Sequence, residues 1–277
     1  MTVVRITPVA HPSPGCATPA LDSGEPRQHL SPSGAIIGPQ SVQQAIDVEK
    51  RIADQADVGA PPGTSPWIVL RGRCPLIVTA PHATEPWREG RYRFSDGAGT
   101  AALAVMLHRL GGVTALYTQY RTPSDPNFYD DNAFKATLAG LIETVEPVLI
   151  LDIHGSHESR PYEVDLGTMN GKSLLGCPSL VTDLTTLLHQ AGIFNISRNY
   201  FAAEKNRTIT RFASARQVPT VQLEISSAFL RPSEGGMMAE RFARVLQALT
   251  LYVQRIADRP PSKQSQPPDD ASDHERH

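Results

Sequence analysis

The chain has 277 residues, 40% of them hydrophobic and 19% charged, with a formal net charge of −2. That length is enough to bury a full core, and the composition is that of an ordinary globular protein. The near-neutral charge provides no field to attract nucleic acid or anionic membrane, and no apolar run approaches the ~20 residues of a membrane span.

The first segment, "MTVVRITPVAHPSPGCATPA", has neither a lysine-rich start nor an unbroken apolar stretch, so no signal peptide is expected. Thirteen of the 24 prolines fall before residue 66 or after residue 258, and both ends are expected to be loosely held or disordered. His274 and His277 fall in the second of these ends and read as part of a solvated tail. Cys16, Cys74 and Cys177 are too few and too scattered for a disulfide framework or a thiolate zinc site. A reducing, cytoplasmic setting follows as the expectation.

Along the chain, "SVQQAIDVEKRIADQADVG" carries Val42, Ala45, Ile46, Val48 and Ile52 near helical spacing and closes on a glycine. "WIVLRGR" and "CPLIVTAPH" then read as strands, "GTAALAVMLHRLGG" as a helix, "VTALYTQY" as a strand and "DNAFKATLAGLIETV" as a helix. "PVLILDIHG" is the most apolar strand and is expected at the centre of the sheet. A partly polar strand pair around "YEVDLGTMN", the helix "SLVTDLTTLLHQAG", the buried strand "VPTVQLEIS" and the closing helix "MMAERFARVLQALTLYVQRI" complete the series.

Strands alternating with helices of this length imply an α/β fold: three layers, with a mostly parallel, mixed central sheet between helices. The division expected is an extension with one helix over 1–63, a single domain over 64–257 and a tail over 258–277.

Ligands of such sheets gather beyond the carboxyl ends of the strands. There "LIVTAPH", "VLILDIH" and "TVQLE" each end an apolar run on a metal-capable or acid–base side chain. His82, Glu85 and His154 form a set of two imidazoles and one carboxylate. Such a set suits one catalytic zinc ion and leaves a position at which water is acidified toward ~7. Asp152 lies on the same side of its strand as His154 and is suited to orient that ring. Glu224, on a separate buried strand, is suited to take a proton from water and return it to a leaving amine; the competing reading is an ion pair with an arginine.

"TAPHATEPWREG", "QYRTPSDPN", "LILDIHGSH" and "TVQLEIS", in that order, resemble the N-formylglutamate amidohydrolase family over roughly residues 74–231. The resemblance implies the fold of the zinc carboxypeptidases and aspartoacylases. It also implies zinc-dependent hydrolysis of a C–N amide bond, with His82 and His154 as ligands and Glu224 as general base. For the third ligand, the carboxypeptidase pattern favours Glu85. Family members also point to an aspartate before the next helix, here Asp96, for which a helix cap is the competing reading.

On the substrate side the family's R…D-x-N-R becomes Arg121, Asp125, Asn127 and then Phe128, without the final arginine. Arg121, Asn127, Arg207 and Arg211 are the expected substrate contacts, and the substrate a small molecule or short peptide bearing a carboxylate. Rival readings are a carboxypeptidase, a tailoring amidase for a small peptide natural product, and a binding protein that keeps the fold without catalysis. "GTMNGKSL" has three residues between its glycines where a phosphate-binding loop needs four, and no G-x-S-x-G elbow occurs.

Overall fold

The computed structural model describes residues 37–258. Expectations for the two proline-rich ends, Cys16 and the tail histidines lie outside the described residues. Among the described residues there are nine strands: β1 (Trp67–Leu70), β2 (Leu76–Ala80), β3 (Trp87–Arg88), β4 (Arg91–Tyr92), β5 (Thr114–Thr118), β6 (Leu149–Ser156), β7 (Val164–Gly167), β8 (Ile196–Arg198) and β9 (Thr220–Ser226). The six α-helices are α1 (Pro39–Ala53), α2 (Gly99–Gly111), α3 (Ala133–Val145), α4 (Ser179–Gln190), α5 (Ile209–Ser214) and α6 (Gly236–Ala257).

Seven strands form one sheet in the order β1-β5-β2-β6-β9-β7-β8, and β3 and β4 make a separate hairpin. The pairs β2–β5, β2–β6, β6–β9 and β7–β8 are parallel, whereas β1–β5 and β7–β9 are antiparallel. The sheet is therefore mixed and mostly parallel, with the most apolar strand, β6, in the middle.

Because successive side chains alternate between faces, each inner strand feeds two cores. Leu76, Val78, Leu149, Leu151, Ile153, Val221 and Leu223 join α1, α2, α4 and α6 on one face. Ile77, Leu116 and Ile150 meet Phe134, Leu138 and Leu141 of α3 and Ile209 and Ala213 of α5 on the other. The three layers follow directly. Helix α1 buries Ala45, Val48 and Ile52 in the first of these cores, so it packs as part of the layered body. Among the described residues no helix is long and apolar enough to cross a membrane.

Local structure adds to or alters the sequence pattern in three places. "EKNRTITRFAS", to which the pattern assigned no element, contains the short helix α5, whose first turn Thr208 caps by accepting a hydrogen bond from the Arg211 N–H at 3.1 Å. The polar pair near "YEVDLGTMN" is one strand, β7, whose parallel partner β8 comes from beyond α4. The β3–β4 hairpin has no counterpart in the sequence pattern.

Candidate active site

The alternation that sends leucines and isoleucines into the larger core turns Asp152 and His154 of β6, and Gln222 and Glu224 of β9, toward the α3–α5 face. The parallel register sets Asp152 beside Gln222 and His154 beside Glu224. His82 follows β2 by two residues. Asp96 returns to it after the β3–β4 excursion, its backbone N–H donating to the His82 carbonyl at 2.8 Å. This approach needs Gly155: a Cβ there would stand 2.1 Å from the Asp96 carbonyl oxygen.

His82, Asp96 and His154 form a cluster whose potential ligand atoms all lie within 4.8 Å of one another. Asp96 Oδ2 lies 2.7 Å from His154 Nδ1 and 3.4 Å from His82 Nδ1. The opposite ring nitrogens face other carboxylates: His82 Nε2 is 2.8 Å from Asp125 Oδ1, and His154 Nε2 is 3.1 Å from Asp152 Oδ2. Asp152 is itself held by the Thr79 hydroxyl, which donates to Oδ1 at 2.6 Å. Each ring thus presents Nδ1 to the shared Asp96 carboxylate and Nε2 to an outer carboxylate, so a cation taking the place of the Nδ1 protons would meet both Nδ1 atoms beside Asp96. That orientation is the one metal-binding histidines adopt, and the donor set fits a divalent ion.

The electrostatics agree with that fit. Burial opposes a charge on His82, but Asp125 and Asp96 outweigh it and raise its pKa to about 9. His154 is also driven well above the usual range, since Asp152 and Asp96 overcome the burial that opposes its charge. Burial favours neutral Asp96, yet the two histidines hold it well below the ordinary carboxylate range. Three carboxylates around two imidazoles make an environment that favours a cation. Glu224 moves the other way: burial is the main cause that lifts its pKa to about 7, while His154 pulls it down. Its Oε1 accepts a hydrogen bond from Gln222 Nε2 at 2.9 Å.

His82, Asp96, His154 and Glu224 all face one cavity of about 510 Å³, and Asn127 lines it as well. Asn127 Oδ1 accepts the Ile209 N–H at 2.8 Å, and its Nδ2 lies 2.8 Å from His154 Nε2. Glu85, expected as third ligand, is not in this cluster. Its loop turns it to Arg121, which donates through Nε at 2.8 Å and lies within 2.6 Å through a terminal nitrogen. Asp96 does not cap a helix: α2 begins at Gly99, and its N-cap position is Ala98, with no side-chain cap.

Three arginines expected at the substrate do not line the cavity. Arg121 is committed to Glu85 and stacks 4.3 Å from the Tyr92 ring centre. Arg207 pairs with Asp130 at 2.6 Å, and Arg211 is exposed on α5. Sequence reasoning missed Asp125 as the partner of His82, although it sits inside the quoted D-x-N motif. It also missed Arg88, the cavity's partly buried cation.

No protein-family model matches the chain, and no curated protein matches it in sequence. Among solved structures, an N-formylglutamate amidohydrolase from Ralstonia eutropha has a similar fold, with a TM-score of 0.50 and 18% identity, covering 70% of this chain and 97% of that one. A bacteriophage poly-gamma-glutamate hydrolase gives a TM-score of 0.45 and 17% identity over 71% of this chain and 89% of its own. A metallo-carboxypeptidase from Burkholderia cenocepacia gives 0.40 and 14% over 70% of this chain and 66% of its own. The chain thus has the α/β architecture that the sequence motifs implied, that of an N-formylglutamate amidohydrolase.

Proposed function

We propose that this protein is a zinc-dependent hydrolase of a C–N amide bond in an N-acyl amino acid or small peptide-like carboxylate substrate. The observation that carries the reading is the matched orientation of the two histidines. Each turns Nδ1 toward Asp96 and Nε2 toward an outer carboxylate. His82, Asp96 and His154 would hold one zinc ion per chain, with Asp125 and Asp152 orienting the rings. When bound, such an ion supplies Lewis-acid chemistry, acidifying water and polarising the amide carbonyl.

Glu224 faces the same cavity with a pKa raised by burial to about 7, a value suited to gaining and losing a proton near neutrality. As water's oxygen bonds to the carbonyl carbon, Glu224 accepts its proton. It then delivers that proton to the amine nitrogen as the C–N bond breaks, giving a carboxylic acid and a free amine. The Gln222 amide holds one oxygen of Glu224 and leaves the other for this exchange.

Elemental analysis of purified protein is expected to find one zinc per chain, lost when His82→Ala and His154→Ala are combined. Glu224→Gln should keep the zinc and lower amine release from N-acyl amino acids by ~100-fold or more. A full metal equivalent in the double variant would overturn the ligand set. Near-normal turnover in Glu224→Gln would return that residue to a structural role.

A further inference from the structure

The cavity carries a cation that the reading above leaves without a task. Arg88 closes β3 and lines the cavity together with His82, Asp96 and Asn127. Its side chain is only 25% exposed, and its guanidinium lies 4.2 Å from the centre of the Phe128 ring. Nε donates to Glu89 Oε2 at 3.2 Å, and one terminal nitrogen keeps a long ion pair with Asp125 Oδ2 at 3.8 Å. The two terminal nitrogens make no hydrogen bond to any of the described residues. A guanidinium packed on an aromatic face with its fork open is prepared for a planar anion.

The hairpin that carries Arg88 is firmly placed. The Trp87 N–H donates to the Thr122 carbonyl at 2.9 Å, and the Glu89 N–H to the Tyr129 hydroxyl at 3.2 Å. Trp87 and Tyr92 stack edge to face on one side of the ribbon, so Arg88 and its partner Arg91 share the other. The segment after Asn127, where the family pattern has an arginine, here supplies Phe128, and Phe128 is the platform for Arg88. Asp125 joins the two regions, with one oxygen on His82 and the other facing Arg88. A carboxylate on Arg88 would therefore lie one side chain away from the histidine cluster.

We propose that Arg88 is the carboxylate-binding residue of this pocket, and that the β3–β4 hairpin restricts the substrate to amides carrying a free carboxylate close to the bond that is cut. The proposal rests on the cavity being the substrate site of a hydrolase. Lys205 also lines the cavity, but it is exposed and has no aromatic backing, so its ordering cost on binding is larger.

The test compares a panel of N-acetyl amino acids with their carboxamides, using zinc-loaded protein. Wild type should prefer the acids, and Arg88→Ala should raise KM for the acids about 10- to 100-fold, leaving KM for the amides and kcat within a few-fold. Arg88→Lys should restore part of the preference, and Arg207→Ala should leave it intact. Calorimetric titration of the same acids and amides separates this proposal from the hydrolase reading. Acid binding that depends on Arg88 upholds the carboxylate site even if no amine is released. Equal affinity for acids and amides in wild type, no binding of either, a preference that survives Arg88→Ala, or one that is lost in Lys205→Ala instead would each overturn it.

Discussion

Asp96 meets both histidines through their inner nitrogens, while Glu85 spends its carboxylate on Arg121. The two residues therefore predict opposite outcomes. Asp96→Asn keeps the shape but removes an anionic donor, and should weaken zinc by more than ~100-fold in competitive chelator titration. Glu85→Gln should leave zinc affinity within a few-fold, its cost falling on the Arg121 contact. The reverse order would make Glu85 the ligand. His82, His154, Asp152 and Glu224 were legible in the sequence because each ends or punctuates an apolar strand, where a polar side chain has to be accounted for. Asp96 was legible as an alternative alone, since an aspartate before a helix is adequately explained as a cap. Arg88 gave no signal of its own, and Asp125 only its place in the D-x-N motif. Their roles arise from a ring and an imidazole supplied by distant segments, which spacing along the chain does not encode.

Among the elements, the long ones announced themselves and the short ones did not. The five long helices and the inner strands follow apolar periodicity. β3 and β4 have two residues each, and their turn, Glu89-Gly90, takes positive φ at both positions (54° and 82°) without the Asn-Gly or Asp-Gly signature of such turns. β8 is three residues long and partly exposed, so it has no alternation to read. Yet β8 leads into a cavity wall, residues 199–206, that is held by buried Asp165 of β7. Asp165 Oδ1 accepts from the Ser197 hydroxyl at 2.6 Å and the Tyr200 N–H at 3.0 Å, and Oδ2 from the Phe201 N–H at 2.8 Å. Ala203 sits at φ 59°, a conformation that a residue with a plain Cβ keeps only when its surroundings enforce it, and Asn199 at 60°, which asparagine tolerates. Asp165→Ala should release the wall. Amide exchange at Tyr200 and Phe201 should accelerate and substrate KM rise, with zinc content unchanged. Unaltered protection of those amides would show that the wall is held by other contacts.

At the scale of the whole molecule, the two candidate histidine ligands are carried by β6 and the end of β2, whereas the cavity is closed by connecting segments. Asp125 and Asn127 come from the connection between β5 and α3, and the facing wall from the stretch that leads into α5. Lys135 of α3 ties the two together from a fully buried position. Its ammonium donates to the Tyr129 carbonyl at 2.8 Å, to Asp130 Oδ1 at 3.0 Å and to the Arg207 carbonyl. Burial lowers its pKa, while Asp130 leads the partners that oppose the shift. Lys135→Met preserves the bulk and removes all three donations. Two backbone carbonyls then lose their side-chain partner, a loss of about 2–6 kcal/mol in unfolding free energy at ~1–3 kcal/mol per unsatisfied group. Urea unfolding measures that loss. The metal cluster is anchored through β2 and β6 instead, so zinc affinity should stay within a few-fold while substrate affinity falls as the two walls separate. Equal loss of zinc and substrate would mean that the cavity walls and the metal cluster unfold as one unit, and that Lys135 supports both.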